Sequence, residues 1–321
     1  MRRRTLLGAL AVSAGSVVTG SVLAGDAGAV GRRGPTGIPA QLRIATGPPG
    51  GVYRLLGNAL AEVLRPRLPG TRVSTIETGA SVDNMRLLAE SGTDLAIASL
   101  DASVAGLSVG VPPDLTAVTR VYDSWLQLFV PSESKLTSLS DLDGRVVAAG
   151  AAGSGTRFTV ERLLGIAGLH PRLIDADQSQ GAPMLAAGQV DAYITLTGIP
   201  TPAVLDNLLP HRSIRMIELG SYVDDMNAHF SGELYTPATM PSSTYQGVPA
   251  VATLTLPNLL LAQPLLSADL VELVVATLFA ERARIGRQFP WANRINPRTG
   301  IATSPIRLHP GAVRYFRSVK V

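Results

Sequence analysis

The sequence predicts a two-lobed α/β fold with mostly parallel sheets and a hinge of two strands between the lobes. Short β-type runs alternate with apolar-periodic helical segments, an alternation typical of parallel sheets covered by helices. The same order recurs about a hundred residues further along, which indicates two similarly built lobes. A late apolar run supplies a second crossing between the lobes.

In each lobe, strands end at loops of glycine and small polar residues that open helices. The first lobe has predicted strands at 42–45, 72–76 and 94–98 and predicted helices at 52–64 and 82–90. The second lobe has predicted strands at 145–149, 171–176 and 191–196 and predicted helices at 156–167 and 182–187. The matching order of elements is the basis for expecting two lobes.

The chain is expected to cross between the lobes twice. The first crossing falls near 126–130, and the return near 248–256 leads into an apolar run that ends at 262, after a turn-rich stretch at 236–247. A helix at 268–285 and a C-terminal tail follow. Two linker strands make a hinge above a cleft, so we expect closure around a ligand. The predicted domains are lobe 1, residues 40–128 with 247–321, and lobe 2, residues 129–246.

Composition excludes several classes of function. The 321 residues are 46% hydrophobic and 16% charged, which is too apolar for a disordered chain. The formal net charge of +4 falls to about +2 without the basic N-terminus, and no cluster of Lys and Arg with interleaved aromatics remains to bind nucleic acid. The absence of cysteine excludes disulfides, thiolate catalysis, Cys-ligated zinc and a lipid-modified cysteine anchor.

The N-terminus has the layout of a secretory signal peptide. Three arginines at 2–4 precede a mildly apolar run at 6–23 and a small-residue site at 27–29, so residues 1–29 are predicted to be removed. Arg3 and Arg4 followed by Thr5 resemble a twin-arginine export signal. Residues 30–39 are expected to be a flexible leader. The alternatives are an uncleaved anchor and an earlier cleavage site after Ala24. We expect an exported protein.

Two loops are candidates for binding an anion. Residues 47–53 and 153–156 each place glycine backbone and small side chains at a predicted helix N-terminus, where unpaired N–H groups and the helix dipole favour negative charge. They occupy equivalent positions in the two lobes and should face a shared crevice. The alternative is that their Ser and Thr residues are ordinary N-caps.

The candidate ligand-binding residues lie on these loops and on the neighbouring carboxyl ends of strands. Asp101 could accept a ligand amine or cap a turn, Tyr53 could cover the cleft or pack, and Arg157 could pair with a ligand carboxylate or reach solvent. The complete set is Thr46, Gly50, Gly51, Val52, Tyr53, Thr78, Ser81, Asn84, Ser99, Asp101, Ser154, Gly155, Thr156, Arg157 and Thr197. Thr195 is a further candidate of similar strength.

No catalytic motif is present in the sequence. Neither glycine loop ends in the Lys-Ser/Thr of a P-loop, and 150–155 lacks the dinucleotide-binding spacing. The residues two before and two after Ser154 are Ala152 and Thr156 rather than glycines, so Ser154 is not in a Gly-x-Ser-x-Gly nucleophile elbow. The four histidines are isolated from one another in the sequence. We expect no enzyme activity, no cofactor and no metal site.

Motifs along nearly the whole chain resemble the TAXI branch of solute receptors associated with tripartite ATP-independent periplasmic (TRAP) transporters. The residues that carry the resemblance are 45–47, 50–53, Gly57, 78–81, Asn84, 87–88, 141–142, Gly144, 153–156, 191–193, 198–200, 309–312 and Tyr315. The resemblance implies a type II periplasmic-binding-protein fold, a ligand between the lobes, and delivery to a permease driven by an ion gradient. The resemblance also implies ligands such as glutamate, glutamine and related dicarboxylates or oxoacids, to which relatives are linked. Pro48 and Pro49, and the segment 235–245, depart from the family pattern.

The sequence therefore predicts a receptor of a TRAP-type transporter that binds a small anionic solute, glutamate-like, glutamine-like or a dicarboxylate, and delivers it to membrane permease subunits. Two alternatives remain open, namely a substrate-binding protein of an ABC importer and a periplasmic ligand sensor. We expect a monomer that does not bind nucleic acid.

Overall fold

A computed structural model describes residues 39–108, 114–230 and 232–320. The predicted signal peptide, 1–29, and residues 30–38 of the predicted leader lie outside the described residues. The strands are β1 (Gln41–Ala45), β2 (Arg72–Ile76), β3 (Leu95–Ser99), β4 (Thr116–Pro131), β5 (Val146–Ala148), β6 (Arg172–Ile174), β7 (Ala192–Thr197), β8 (Ile214–Met216), β9 (Thr236–Met240) and β10 (Val251–Ala262). The helices are α1 (Val52–Leu64), α2 (Ser81–Ala89), α3 (Leu100–Ser108), α4 (Gly155–Ala167), α5 (Gln178–Ala186), α6 (Pro202–Asn207), α7 (Val223–His229), α8 (Ala268–Ala280), α9 (Arg282–Gln288), α10 (Pro297–Gly300) and α11 (Pro310–Ser318).

Two long antiparallel strands join two groups of parallel strands. The order across the sheet is β2-β1-β3-β10-β4-β7-β5-β6, with β8 paired to β4 and β9 paired to β10. We call β1, β2 and β3 the first strand group and β5, β6 and β7 the second; within each group the pairs are parallel. β10 pairs with β3 along 258–262, whereas β4 pairs with β7 along 125–129. The predicted pair of crossing strands is confirmed.

The exact limits of the lobes stay a prediction. The proposed first boundary, after residue 128, falls inside β4, because this strand runs unbroken from one strand group to the other. The return boundary at 247 precedes the start of β10 at Val251. The same two strands therefore belong to the sheets of both lobes.

Helix α1 shows how the apolar pattern builds the first strand group. Val52, Leu56 and Leu60 recur at helical spacing and are at most 4% exposed, so one face of the helix packs on the sheet. Burial of each of these side chains contributes roughly 1.5–3 kcal/mol. Gly57 lies on the same face, where a Cβ would fall well inside contact distance of the Thr46 methyl group. The missing side chain lets α1 approach β1 closely.

Three segments differ from the sequence prediction. The stretch 236–247 is not only turns, because Thr236–Met240 pairs with β10 as an edge strand. The predicted helix 268–285 is two helices, α8 and α9, which meet at Glu281. The C-terminal tail contains α11, whose N-cap is His309; its Nδ1 accepts a hydrogen bond of 3.1 Å from the Gly311 N–H. An edge strand and a histidine N-cap have only weak local patterns in the sequence, so the sequence did not predict these two features.

The contact of Gly57 with β1 predicts opposite effects for alanine at two helical glycines. Gly57→Ala should lower the free energy of unfolding by about 1–3 kcal/mol, because the added methyl overpacks the buried contact with Thr46. Gly165→Ala, in α4 with open space around the Cβ position, should raise it by about 0.5–1 kcal/mol through helix propensity. Urea unfolding of both variants measures the difference; equal effects would contradict the packing described here.

Candidate functional site

A cavity of about 70 Å³ lies where the two strand groups face each other. The two loops predicted to bind an anion both contribute to its wall, together with the turn before α2, the start of α5 and strand β7. The lining residues are Gly47, Pro48, Pro49, Gly51, Val52, Tyr53, Gly79, Ala80, Ser81, Ser99, Tyr122, Ser124, Gly150, Ala151, Ser154, Gly155, Thr156, Ala176, Asp177, Gln178, Tyr193, Ile194, Thr195, Leu196 and Thr197.

The first loop brings the N-terminus of α1 to the cavity. Gly50 has a φ of +75°, and the Gly51 N–H donates a 3.0 Å hydrogen bond to the Pro48 carbonyl. This turn makes Gly51 the N-cap of α1 without a capping side chain. The first N–H groups of a helix have no acceptor within the helix, so Val52 and Tyr53 present backbone donors where they line the cavity.

The second loop brings the N-terminus of α4 to the cavity. Gly150 and Gly153 have φ values of +78° and +76°, which favour glycine. Ser154 caps the helix, since its Oγ accepts a 3.1 Å hydrogen bond from the Arg157 N–H. A Cβ on Gly155 would lie 2.6 Å from the Ser81 Oγ and 3.2 Å from the Ser99 Oγ. Because Gly155 lacks a side chain, the N-terminus of α4 can pack directly on the first strand group.

Tyr53 is held at the cavity wall by two hydrogen bonds. Its hydroxyl lies 3.0 Å from the Ser81 Oγ and donates to the Asn258 Oδ1 at 2.5 Å. Burial raises the pKa of the Tyr53 phenol well above its ordinary value, so the group stays protonated. Tyr122 packs edge-on against the Tyr53 ring with 6.3 Å between centroids. Tyr53 is therefore a fixed part of the wall.

Strand β7 presents three buried hydroxyls without partners. Tyr193, Thr195 and Thr197 alternate along the strand, so their side chains lie on one face. Each residue is 1% exposed, and none of the three hydroxyl oxygens has a hydrogen-bond partner among the described residues. Burial raises the pKa of the Tyr193 phenol above its ordinary value, so it remains a potential donor. We call these three residues the hydroxyl row.

Asp177 is the one charged side chain among the described residues that line the cavity. Its Oδ1 caps α5, accepting hydrogen bonds from the backbone N–H of Ser179 at 2.8 Å and of Gln180 at 3.1 Å. No Lys or Arg is among the described lining residues, so the groups at the wall that favour negative charge are the helix N-termini. The site can bind an anion through backbone dipoles and hydroxyls.

Nine of the predicted site residues line the cavity and six do not. Those that line it are Gly51, Val52, Tyr53, Ser81, Ser99, Ser154, Gly155, Thr156 and Thr197. Those placed elsewhere are Thr46, Gly50, Thr78, Asn84, Asp101 and Arg157. All fifteen remain predictions of ligand contact; nine of them line the cavity, and the other six lie outside its lining.

Thr46, Thr78 and Asn84 form a buried brace behind the first loop. The Asn84 amide donates to the Thr46 carbonyl at 2.6 Å and to the Ile97 carbonyl at 2.7 Å, and its Oδ1 accepts from the Thr78 hydroxyl at 2.7 Å. The Thr46 hydroxyl donates to the Ile76 carbonyl. Gly50 lies at the tip of the turn, with open space around its Cβ position. These contacts fix the ends of β1, β2 and β3 relative to one another.

Arg157 is directed at other protein groups. Its guanidinium contacts the Asp175 carboxylate at 2.6 Å and donates to the Gly150 carbonyl at 3.2 Å. Glu161 lies 4.0 Å from the same guanidinium. A first-turn arginine opposes the helix dipole, and these acceptors stabilise it there. Arg157 is not among the lining residues of the cavity, and its pairing with a ligand carboxylate stays a prediction.

Asp101 does not line the cavity, and its carboxylate is surrounded by protein donors. Its buried carboxylate accepts hydrogen bonds from Ser99 Oγ and the Ala102 N–H on its own side, both at 2.7 Å. From the opposite side it accepts from Thr159 Oγ1 of α4 at 2.7 Å and from the Tyr235 hydroxyl at 3.1 Å. The Arg162 guanidinium in turn donates to Tyr235 at 3.1 Å. Asp101 therefore ties α3, which follows the first strand group, to α4.

Several lining residues were absent from the sequence prediction. Tyr122 and Ser124 come from the middle of β4, and Tyr193 comes from β7, so only the pairing of distant strands brings them together. Asp177 had a local pattern that could have identified it, because Asp177 and Gln180 form a capping box directly after β6. In the other two loops as well, the carboxyl end of a parallel strand is followed by the N-terminus of a helix.

The comparisons with known proteins agree with this fold. The model of the NMT1-like family matches residues 44–319. PhnD1 from Prochlorococcus marinus in complex with methylphosphonate is similar, with 13% identity, coverage of 79% of this chain and 90% of that chain, and a TM-score of 0.53. A Xanthomonas citri protein bound to a chloride ion shows 13% identity, coverage of 87% and 96%, and a TM-score of 0.51. The periplasmic aliphatic sulphonate binding protein SsuA from Escherichia coli shows 17% identity, coverage of 88% and 84%, and a TM-score of 0.49.

The two likenesses with TM-scores above 0.5, to PhnD1 and to the Xanthomonas citri protein, support the predicted two-lobed type II periplasmic-binding-protein fold. The sheet topology alone leads to the same interpretation, because β4 and β10 join two groups of parallel strands. The narrower TAXI assignment stays a prediction, because the family match does not distinguish that branch.

The hydrogen bonds of the Asp101 carboxylate to both sides predict a large loss of stability when this carboxylate is removed. Asp101→Ala leaves the hydroxyls of Ser99, Thr159 and Tyr235 without their shared acceptor and should lower the free energy of unfolding by about 3–5 kcal/mol. Asp175→Ala removes a carboxylate that is 66% exposed and should cost less than about 1 kcal/mol. Denaturant unfolding measures both; similar small losses would show that Asp101 does not tie the two sides.

Proposed function

Because the chain belongs to the NMT1-like family, we propose that it is an extracytoplasmic solute-binding protein that encloses a small anion between its two lobes and delivers it to a membrane transporter. The observation that carries this proposal is the meeting of two helix N-termini, those of α1 and α4, at one cavity whose described lining includes no Lys or Arg.

The physical argument concerns where negative charge is stabilised. Each helix N-terminus carries about half an elementary charge, and the first-turn N–H groups of α1 and α4 have no acceptors within their helices. The two N-termini lie in different lobes, so an anion that contacts both favours the closed arrangement over the open one. The bound anions of the similar structures, methylphosphonate and chloride, support a small anionic solute.

Export is part of the proposal and rests on the sequence of residues 1–29, with their basic start, diluted apolar run and small-residue end. Among the described residues, no helix has both the length and the apolar character needed to cross a membrane. We further propose a monomer without enzymatic activity; the sequence has neither a P-loop ending nor a nucleophile elbow at its glycine loops, which supports the second point.

Two kinds of transporter compete as the partner. The resemblance of the motifs to the TAXI branch favours delivery to TRAP-type permease subunits driven by an ion gradient. The family match and the similar structures contain nothing specific to that branch and fit the alternative, a substrate-binding protein of an ABC importer, better. We take the ABC importer as the first candidate partner.

The dipole argument predicts the effect of a negative charge at the start of α4. Thr156→Asp should abolish the thermal stabilisation produced by small carboxylates and phosphonates, because a negative charge in the first turn of α4 neutralises the helix N-terminus and repels the anion. A ligand at 100 times its Kd stabilises the wild-type protein by about 2.7 kcal/mol.

Thr156→Asn is the matched neutral control and should keep most of that stabilisation. A differential scanning fluorimetry series with anions, and with arginine and choline as cations, provides the measurement. Stabilisation of the wild-type protein by cations alone, or retention of anion binding by Thr156→Asp, would contradict the proposal.

The choice of partner predicts how uptake is energised. In cells that contain the native transporter, uptake of the bound solute should continue when an ionophore collapses the ion gradients while ATP is maintained, and should stop when ATP is depleted. A strain lacking this protein gives the background rate. Loss of uptake with the ionophore at constant ATP would identify a TRAP-type transporter instead.

A further inference from the structure

The hydroxyl row of β7 is a second feature of the cavity that the helix N-termini do not explain. Tyr193, Thr195 and Thr197 are each 1% exposed, line the cavity and lack hydrogen-bond partners among the described residues. A buried hydroxyl without a partner destabilises a protein, so three on one strand face indicate a partner that binds in the cavity.

The neighbouring polar groups on the same sheet face are paired. Gln127, which stands opposite Thr195 in the register of β4 and β7, bonds Thr201 with its amide nitrogen at 3.1 Å and accepts from the Tyr245 hydroxyl at 2.5 Å. Gln127 thus has protein partners, whereas the three hydroxyls of the row, which lines the cavity, have none among the described residues. This contrast assigns the missing partners to the cavity rather than to the protein.

Charge limits what can lie against the row. Asp177 lines the same cavity as Tyr193, Thr195 and Thr197, so a ligand that contacts the row shares the cavity with a carboxylate. A second carboxylate of a ligand would be repelled at this end, whereas a hydroxyl, amide or ammonium group would not. The Cα atoms of adjacent members of the row are about 6.6 Å apart along the strand. This spacing is similar to the length of a four- or five-carbon acid.

We propose that the hydroxyl row and Asp177 select a monoanionic acid whose far end carries an uncharged or positively charged hydrogen-bonding group. This inference rests on the proposed function: the anionic end lies at the N-termini of α1 and α4, and the polar end lies along β7. Hydroxyls can donate to or accept from that end, and Asp177 disfavours dicarboxylates there. The proposed solutes are thus only a part of the small anions that the proposed function allows.

The experiment compares three four-carbon probes by isothermal titration calorimetry: 4-hydroxybutyrate with a polar end, butyrate with an apolar end and succinate with a second carboxylate. The wild-type protein should bind 4-hydroxybutyrate tightest. Thr195→Val and Thr197→Val keep the shape and remove the hydroxyl, so at least one of them should weaken 4-hydroxybutyrate about tenfold while leaving butyrate unchanged. Asp177→Asn keeps an N-cap residue and should strengthen succinate binding.

Thr277→Val is the matched control, because Thr277 in α8 also has a buried, unpartnered hydroxyl but lies away from the cavity. It should leave the affinity for every probe unchanged. In the ligand-free protein, all three Thr→Val variants should keep or raise the unfolding midpoint. Destabilisation by Thr195→Val and Thr197→Val, but not by Thr277→Val, would show protein partners for the row and overturn the inference.

The outcomes separate the two proposals. If no anion binds the wild-type protein, the proposed function fails and this inference fails with it. If the anions bind but succinate is preferred, or if 4-hydroxybutyrate and butyrate respond equally to the Thr→Val variants, only the selection by the hydroxyl row is refuted.

Discussion

The antiparallel pairing of β4 with β10 is the constraint on which the other features depend. These strands run from one group of parallel strands to the other, and β10 pairs with β3 and β9 while β4 pairs with β7 and β8. The register therefore sets where the carboxyl ends of the two parallel groups meet. Loops that are distant in sequence, at 47–53 and 150–156, reach one cavity because this strand pair orients both groups.

The close contact between α4 and the first strand group at that cavity requires a residue without a side chain. Gly155 lets the start of α4 lie against Ser81 and Ser99, and the Val82 N–H donates to the Gly153 carbonyl at 3.0 Å across the same contact. Glycine thus exposes backbone donors and also permits the approach that excludes water from them. In such a water-poor site, uncharged groups can bind an anion without a guanidinium or an ammonium group.

Much of the fold follows from local sequence, whereas the role of individual side chains does not. The helix Val52–Leu64 and the strand Arg72–Ile76 have the predicted limits, because apolar periodicity and flanking glycines are local properties. Asp101, Asn84 and Arg157 were placed in the site since they follow the correct strand or loop. Their actual partners, such as Thr159 or Asp175, come from elsewhere in the chain. Tyr122 and the hydroxyl row were missed or underweighted for the same reason, since long-range register decides which face of a strand meets the cavity.

The tie between Asp101, Thr159 and Tyr235 has a kinetic consequence. To admit a solute from this closed arrangement, the protein must separate a carboxylate that is fully buried from two hydroxyl donors on the other side. Hydration of the freed carboxylate offsets part of that loss, and the remainder favours the contact between the two sides. In the proposed solute-binding role, each capture event would then wait for this contact to break.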